Sequence, residues 1–340
     1  MIFLYTLLFI LGLALVIYWH SGYQLSPEDI DTIKQIISEA PQAQTTGSIA
    51  QVTTTDGITI NYNSIDAQNK DKGTILLVNG LAQTMLDWPQ YMLEAFAKEG
   101  YHVIRFDNRD VGDSSWIKSW GKSNYYRLEH MAADAITVLD HLSIQKAHVI
   151  GVSMGGMISQ TLAIQYPNRF LSLASLLSTG YFYDPRLTQV TGRFRKEVTR
   201  IILRYSLLSS TVNSMKAQLS IYHLLHGDGS YEVNRDSVLN RAYYEVKKRK
   251  GYNRKASQHH GVAIAKSGSR YDQLQDIVIP SLILHGTGDP LILVEHAHKY
   301  HRMIPNASKC IIEGMGHDLP EKFKHIIMGA LFDNIHKGSS

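Results

Sequence analysis

The sequence is poor in cysteine: Cys310 is the only cysteine among 340 residues. A single thiol excludes a disulfide within the chain, so the fold must be held by a packed core. Cys310 lies in residues 308–313, an apolar run that predicts a buried strand. We therefore expect a small thiol packed in the core rather than a redox centre.

Several patterns that bind cofactors are also missing. The sequence contains no H-E-x-x-H motif, no paired cysteine–histidine spacing and neither glycine-rich phosphate loop. These absences argue against a zinc site and against a bound nucleotide. The net charge of +4 is small for this length and does not favour nucleic acid. We expect a chain with no cofactor, no metal and no nucleic-acid partner.

Charge is missing from residues 2–19, an apolar stretch just long enough to cross a bilayer as a helix. Tyr5 lies near one end and Trp19 at the other, as aromatic side chains do at membrane surfaces. A cleaved signal peptide needs an early positive charge, and no Lys or Arg precedes Lys34. We predict a single-pass membrane anchor over residues 1–24, on an unspecified side of the membrane. A cleaved signal and a buried helix are the alternatives.

Residues 25–48 are predicted to form an amphipathic helix and a linker. Ser26 and Pro27 are a typical helix start, and isoleucines recur behind them at helical spacing. The apolar stripe predicts that this helix lies either on the membrane surface or against the globular domain.

Residues 49–335 are predicted to form one α/β domain. An Asp56-Gly57 hairpin is followed by alternating strands and helices, which favour a mostly parallel sheet. The predicted strands are 51–55, 58–63, 74–78, 103–106, 149–152, 171–177, 277–285 and 308–312, and the predicted helices are 85–98, 128–142 and 154–166. The alternation stops at about 181–275, where long polar helical patterns predict a cap inserted between two strands.

The most informative motif is Gly151-Val152-Ser153-Met154-Gly155, which follows an apolar strand and precedes a helical pattern. A serine at the apex of a sharp strand-to-helix turn is typical of a nucleophile elbow. Flanking glycines let the strand and the helix pass close together. We predict that Ser153 is a nucleophile; a glycine-rich turn without chemistry is the alternative.

A serine hydroxyl is a weak nucleophile, so it needs a base within hydrogen-bonding distance and an acid that orients the base. For an elbow serine, the acid and then the histidine are expected later in the chain. Asp289 and His317 each follow a predicted strand within a glycine-containing turn. Both turns would lie at the carboxyl edge of the sheet, so we predict a Ser153–His317–Asp289 triad. Asp318 and Glu313 are weaker candidates for the acid.

Acyl transfer also needs two oriented donors for the developing oxyanion. The N–H of Met154 follows the elbow directly. The loop after the strand 74–78 reads Asn79-Gly80-Leu81, where the glycine permits a turn and Leu81 offers its N–H. We predict that these two backbone N–H groups form the oxyanion hole.

With these motifs the chain resembles the α/β-hydrolase superfamily from about residue 50 to about residue 335. Residues 106–114 are similar to the family's D-x-R-G-x-G-x-S turn, which shapes the loop beneath the site. Asn79 replaces the usual histidine and Asp110 the usual first glycine of the turn; the second variant resembles a branch that includes polyketide methyl esterases. The resemblance implies an eight-stranded, mostly parallel sheet with a helical cap.

The family resemblance and the serine at the elbow together predict a carboxylesterase or lipase, in the general class of EC 3.1.1. Relatives that open epoxides or remove halide use aspartate at the elbow, so Ser153 indicates acyl chemistry. The expected substrate is an acyl glycerol or another apolar acyl or methyl ester. An anchored serine hydrolase with a cap also resembles membrane-anchored monoacylglycerol lipases. A cofactor-free haloperoxidase, an acyltransferase and a non-catalytic binding protein remain alternatives.

Residues 247–255 (KKRKGYNRK) are dense in positive charge and lie in the predicted cap. The simpler interpretation is a solvated helix end. The other is a contact with anionic lipid headgroups, which would add membrane lipid as a partner beside the N-terminal helix.

Overall fold

The computed structural model describes residues 21–41, 46–121, 124–206, 210–227 and 231–339, with only the backbone of Ser206. Residues 2–19, the apolar stretch of the anchor predicted over residues 1–24, lie outside the described residues, so the anchor stays a prediction. Among the helices that are described, none is both long enough and apolar enough to span a bilayer.

Eight strands form one sheet in the order β1-β2-β4-β3-β5-β6-β7-β8. The strands are β1 Ser48–Thr53, β2 Thr59–Ile65, β3 Thr74–Val78, β4 His102–Phe106, β5 Ala147–Val152, β6 Phe170–Leu176, β7 Ser281–Gly286 and β8 Ala307–Ile312. The pairs β1–β2 and β2–β4 are antiparallel, and the remaining pairs are parallel. The prediction of an eight-stranded, mostly parallel sheet is confirmed.

Helices cover both faces of the sheet, which explains why β3 and β5 are buried along their whole length. The helices outside the β6–β7 connection are α1 Pro27–Glu39, α2 Gln90–Glu99, α3 Leu128–His141, α4 Met154–Gln165, α10 Val294–His301 and α11 Lys324–Ser339. Short turns of 3₁₀ helix are Met85–Asp87, Pro167–Arg169 and Glu321–Phe323. The single helix predicted over 85–98 is wrong, because Pro89 separates the first of these turns from α2.

The described chain between β6 and β7 forms helices that cover the carboxyl edge of the sheet. They are α5 Gly192–Ile201, a π-helical turn Ile202–Ser206, α6 Thr211–Leu225, α7 Arg235–Lys248, α8 Ala256–Ser267 and α9 Tyr271–Leu274. We call this group the cap.

Helix α1 packs on the cap rather than standing apart from the domain. Ser26 and Asp29 cap its first turn reciprocally, and Ile33 and Ile36 are buried against α6 and α7. The buried Asp29 carboxylate also pairs with Arg235 of α7 at 2.7 Å. The sequence predicts that helix α1 lies either on the membrane surface or against the globular domain, and the structure shows it against the globular domain.

Two sequence-based interpretations need correction. Cys310 is only partly buried, because β8 lies at the edge of the sheet and has one neighbouring strand; burial still raises its thiol pKa. Within the basic segment, Lys247 and Lys248 are exposed, but the Arg249 side chain is only 3% exposed. A solvated helix end is therefore wrong for Arg249, which points into the protein.

Candidate active site

Ser153 occupies a strained turn between β5 and α4. Its backbone has φ 57° and ψ −121°, which only a tightly packed turn imposes on a residue with a side chain. A Cβ on Gly151 would lie 2.1 Å from the Gly155 carbonyl oxygen, and a Cβ on Gly155 would lie 2.0 Å from the Val78 carbonyl oxygen. The glycines therefore allow the close crossing that places Ser153 at the edge of the sheet.

The structure brings Asp289 and His317 together from loops after β7 and β8. His317 Nδ1 lies 2.7 Å from Asp289 Oδ2, and both side chains are buried. Asp289 Oδ1 accepts the N–H groups of Leu291 and Ile292, each at 2.9 Å. These contacts orient the carboxylate so that it fixes the tautomer of the imidazole.

His285 also contacts the acid, with Nε2 at 3.2 Å from Asp289 Oδ2 and at 2.7 Å from the Ile292 carbonyl oxygen. Burial acts to raise the pKa of Asp289, but the facing His317 and His285 outweigh it and hold that pKa below its ordinary value. Asp289 is thus kept ionised beside the ring that it orients.

The weaker acid candidates face away from the His317 ring. Asp318 accepts from Tyr231 and lies 3.0 Å from His226 Nδ1, and Glu313 is exposed. The His317 loop is held instead by the cap, since its N–H donates to the Leu225 carbonyl at 2.7 Å.

The two predicted oxyanion donors, the N–H groups of Leu81 and Met154, differ from neighbouring N–H groups in lacking an acceptor among the described residues. Gly80 N–H donates to Gln83 Oε1 at 2.9 Å, and Ala82 N–H donates to His260 Nδ1 at 3.0 Å. Between them, the Leu81 N–H has no acceptor among the described residues, and neither has the Met154 N–H. Both donors are therefore available to a bound oxyanion.

Both departures from the family pattern are accommodated locally. The Asn79 amide donates to the Phe106 carbonyl at 3.1 Å and is buried. Asp110 adopts φ 72°, the backbone that the usual glycine would supply, and its carboxylate accepts from Tyr126 and lies 2.8 Å from His259 Nδ1. The carboxylate contacts offset the strain of a non-glycine residue at this position.

Ser153, His317 and Leu81 line a cavity of about 670 Å³ beneath the cap, which we call the main cavity. Apolar side chains of α5 cover it, with Phe194 and Val198 among them. The space is large enough for a substantial organic ligand, and its walls favour an apolar one.

A second cavity of about 510 Å³ also borders His317. Its walls include charged side chains, among them Asp87 and Arg241, which pair at 3.0 Å. Ser153 does not line it. Within the described part of the chain, no cluster of three His, Cys, Asp or Glu side chains is arranged to hold a metal ion.

The structure places two further groups at the site that the sequence does not indicate. His260 of α8 contacts the loop of Leu81. Arg249 joins the cap to the turn beneath the site through Asp107 and Asp113, and it also pairs with Glu245 of cap helix α7. A buried histidine and one arginine within a basic run carry no pattern that distinguishes them from solvated neighbours.

Comparison with known proteins identifies the family. A family model for the alpha/beta hydrolase fold matches residues 73–322. Rhodomycin D methylesterase DauP of Streptomyces sp. (strain C5) is 28% identical over 72% of this chain and 85% of the relative. Bifunctional esterase/perhydrolase DCH of Acinetobacter calcoaceticus is 27% identical over 79% of this chain and 93% of the relative.

Among solved structures, the enol-lactonase from Burkholderia xenovorans LB400 matches with a TM-score of 0.66 at 16% identity, covering 84% of this chain and 100% of that structure. This likeness concerns the fold. The predicted superfamily resemblance is confirmed: the chain belongs to the α/β-hydrolase family and is a hydrolase of the esterase type.

Proposed function

We propose that the chain is a cofactor-independent serine carboxylesterase that hydrolyses esters of apolar acids through an acyl-enzyme on Ser153. The observation that carries this proposal is the hydrogen-bonded His317–Asp289 pair, which meets Ser153 in the wall of one largely apolar cavity. The similarity to a methylesterase and to an esterase/perhydrolase supports ester hydrolysis in general.

In the proposed mechanism, the Ser153 oxygen attacks the ester carbonyl while His317 accepts the serine proton. Asp289 holds the imidazole and stabilises the imidazolium. The N–H groups of Leu81 and Met154 bind the oxyanion, which exists only in the tetrahedral species and so lowers the barrier selectively. His317 then gives its proton to the leaving alcohol and later activates the water that releases the acid.

A fluorophosphonate probe tests the nucleophile. We expect the wild-type protein to be labelled covalently and Ser153→Ala to remain unlabelled, with hydrolysis of p-nitrophenyl esters lost in parallel. Ser159→Ala is the matched control, because this buried serine of α4 donates to the Gly155 carbonyl and does not line the main cavity. Labelling that persists in Ser153→Ala would refute the proposed nucleophile.

A panel of p-nitrophenyl esters of graded acyl length tests the substrate class. The apolar walls of the main cavity predict that kcat/KM rises from acetate to medium-chain esters. An optimum at acetate would contradict the proposed preference for apolar acids.

Haloperoxidase or acyltransferase activity would use the same triad with a different acceptor. We propose water as the physiological acceptor, and product analysis separates the alternatives. With an apolar ester, the free acid should dominate even when hydrogen peroxide and a competing alcohol are present. A dominant peracid or transesterified product would favour the alternative.

We also propose that residues 2–19 anchor the chain in a membrane. The support is the uncharged length of the stretch and its aromatic ends. The full-length protein should remain with membranes after a carbonate wash, whereas a variant lacking residues 1–20 should not. Release of the full-length protein by the wash would overturn the proposal.

A further inference from the structure

The two cavities that His317 borders differ in their walls. The main cavity is covered by apolar cap side chains, including Val198, Ile201 and Ile221. The second cavity mixes charged side chains, such as Arg241 and Glu232, with apolar ones, such as Val238. The cavities share six lining residues: Gln83, Asp87, Val152, Tyr222, Leu225 and His317.

The roles of Ser153 and His317 indicate which cavity would hold the acyl group of an ester and which would hold its alcohol. The acyl group stays bonded to Ser153 in the acyl-enzyme, so it must occupy the main cavity, which Ser153 lines. The alcohol oxygen receives its proton from His317, so at the moment of bond cleavage it lies on the histidine side. His317 is the residue of the triad that also borders the second cavity.

We propose that the second cavity binds the alcohol portion of the substrate and selects a hydroxyl-bearing alcohol larger than methanol. This inference rests on the proposed function. The wall of this cavity carries donors and acceptors that solvent reaches, among them the Asn234 amide and the Glu232 carboxylate. Hydroxyl groups can replace water at such groups, whereas an alkyl alcohol would displace that water without making hydrogen bonds in return.

The first test compares three esters of octanoic acid with the wild-type enzyme. Glyceryl and pentyl esters have alcohols of equal heavy-atom count, and the methyl ester has almost no alcohol portion. We expect kcat/KM for the glyceryl ester to exceed that for the pentyl ester by about tenfold or more. Equal or reversed values would overturn the proposal.

A matched pair of serines provides the second test. Ser237 lines the second cavity and Ser214 the main one, each on a cap helix. Ser237→Trp should slow the glyceryl ester by about tenfold and change the methyl ester less than about twofold. Ser214→Trp should slow all octanoate esters alike and spare p-nitrophenyl acetate.

The outcomes separate this proposal from the proposed function. If Ser237→Trp slows methyl and glyceryl octanoate by the same factor, the alcohol site is wrong, while hydrolysis that depends on Ser153 still supports the esterase. If the wild-type enzyme hydrolyses none of these esters and escapes the fluorophosphonate probe, the proposed function itself is wrong.

A separate contact carries a second inference, concerning His260. This side chain of α8 is fully buried, and it joins two loops of the core: Nδ1 accepts the Ala82 N–H at 3.0 Å, and Nε2 donates to the Arg109 carbonyl at 2.9 Å. Burial lowers its pKa to about 4, so the ring is neutral at physiological pH and Nδ1 can act as an acceptor.

The Ala82 contact controls the direction of the neighbouring peptide. Ala82 has φ 57°, a strained conformation for a residue with a side chain, so it persists only where the surroundings hold it. The structure assigns to His260 the role of a positioning residue, which fixes Ala82 and thereby aims the Leu81 N–H at the oxyanion. The cap therefore contributes to the oxyanion hole through one hydrogen bond.

His259 is a matched control, because it is the buried neighbour on the same helix. Its ring stacks on Trp120 and its Nδ1 lies 2.8 Å from Asp110 Oδ2, without a contact to the Leu81 loop. His260→Ala and His259→Ala should both lower thermal stability. Only His260→Ala should lower kcat, by about tenfold to a hundredfold with KM little changed, since a misdirected donor affects the transition state alone.

His260→Asn supplies the rescue. Its amide oxygen lies near the position of Nδ1 and can still accept the Ala82 N–H, so most of kcat should return. The role is refuted if kcat falls equally in His259→Ala and His260→Ala, if KM rather than kcat changes, or if His260→Asn is as slow as His260→Ala.

Discussion

The sheet and the cap both contribute to the site, but different contacts hold them. The sheet side depends on backbone crossings, such as Gly155 against the Val78 carbonyl and Gly286 against the Met315 carbonyl. The cap side depends on buried polar side chains, such as Arg249 with three carboxylates. Backbone crossings demand small residues at fixed places, whereas each polar pairing needs only two complementary side chains.

The largest expected effect is on the sheet side, at Asp289. Asp289→Asn should lower kcat by about 10⁴-fold, because an amide favours the wrong imidazole tautomer. The fold should survive, since the Leu291 and Ile292 N–H groups can still donate to the amide oxygen. Steady-state kinetics with a p-nitrophenyl ester measure the loss.

The control for Asp289 is another buried carboxylate, Asp134, which pairs with Arg109 at 2.6 Å away from the triad. Asp134→Asn should reduce stability and leave kcat within about twofold. A comparable loss of kcat in both variants would mean that buried charge in general, rather than orientation of His317, explains the effect.

Arg249 tests the cap side. Arg249→Met should cost about 3–5 kcal/mol in the free energy of unfolding, because it leaves the Asp107 and Glu245 carboxylates buried without their cation. Urea unfolding measures the loss. Lys248→Met, at the exposed neighbour, should change stability by less than about 0.5 kcal/mol; equal effects would show that Arg249 does not join the cap to the core.

Replacing glycine by alanine should lower the free energy of unfolding on the sheet side and raise it in the cap. Gly155→Ala places a methyl group against the Val78 carbonyl and should destabilise by about 1–3 kcal/mol. Gly261 lies in helix α8 of the cap with nothing within 4 Å of an added Cβ. Gly261→Ala should stabilise by about 0.5–1 kcal/mol, measured by urea unfolding. A loss of stability in both variants would contradict the predicted difference between the sheet side and the cap.

The smallest expected effect is a change of slope with pH. Burial raises the pKa of Glu245 from 4.5 to about 7, with help from the Asp107 carboxylate and against the attraction of Arg249. Between these values the folded state holds the proton more tightly than the unfolded state, so its stability falls as pH rises from about 4.5 to about 7.

Glu245→Gln removes this titration and should flatten the stability profile over that range. Urea unfolding at a series of pH values measures the slope. The exposed Glu94 supplies the comparison, since Glu94→Gln should leave the slope unchanged. A wild-type slope that persists in Glu245→Gln would place the titration elsewhere.

The same contrast explains what could be predicted from the sequence. Val78, Gly151 and Gly155 lie in apolar strands or beside them, where periodicity and small residues follow directly from close packing. Strand positions, the elbow and the residues placed around it were therefore predictable. The pairing of His260 with Ala82 joins residues 178 positions apart, and no local pattern encodes it.

The interpretations of Arg249 and Cys310 needed correction because both depend on contacts between residues that are distant in the sequence. In the sequence, Arg249 is one cation in a basic run, and nothing there indicates that its side chain pairs with Asp107 and Glu245. Cys310 lies in an apolar strand, but only strand order reveals that β8 has a single neighbour. Tertiary neighbours decided both outcomes.

The first described residues have a mechanical consequence. Ser21 accepts from Arg200 and Arg204, and the Tyr23 N–H donates to Glu197 at 3.1 Å. These three partners flank Ile201, which lines the main cavity. A force applied at the N-terminal end of the chain would therefore act on the cap before it reaches β1 along the backbone. Tension or truncation at that end should alter which acids fit before it alters how fast a fitting ester is cleaved.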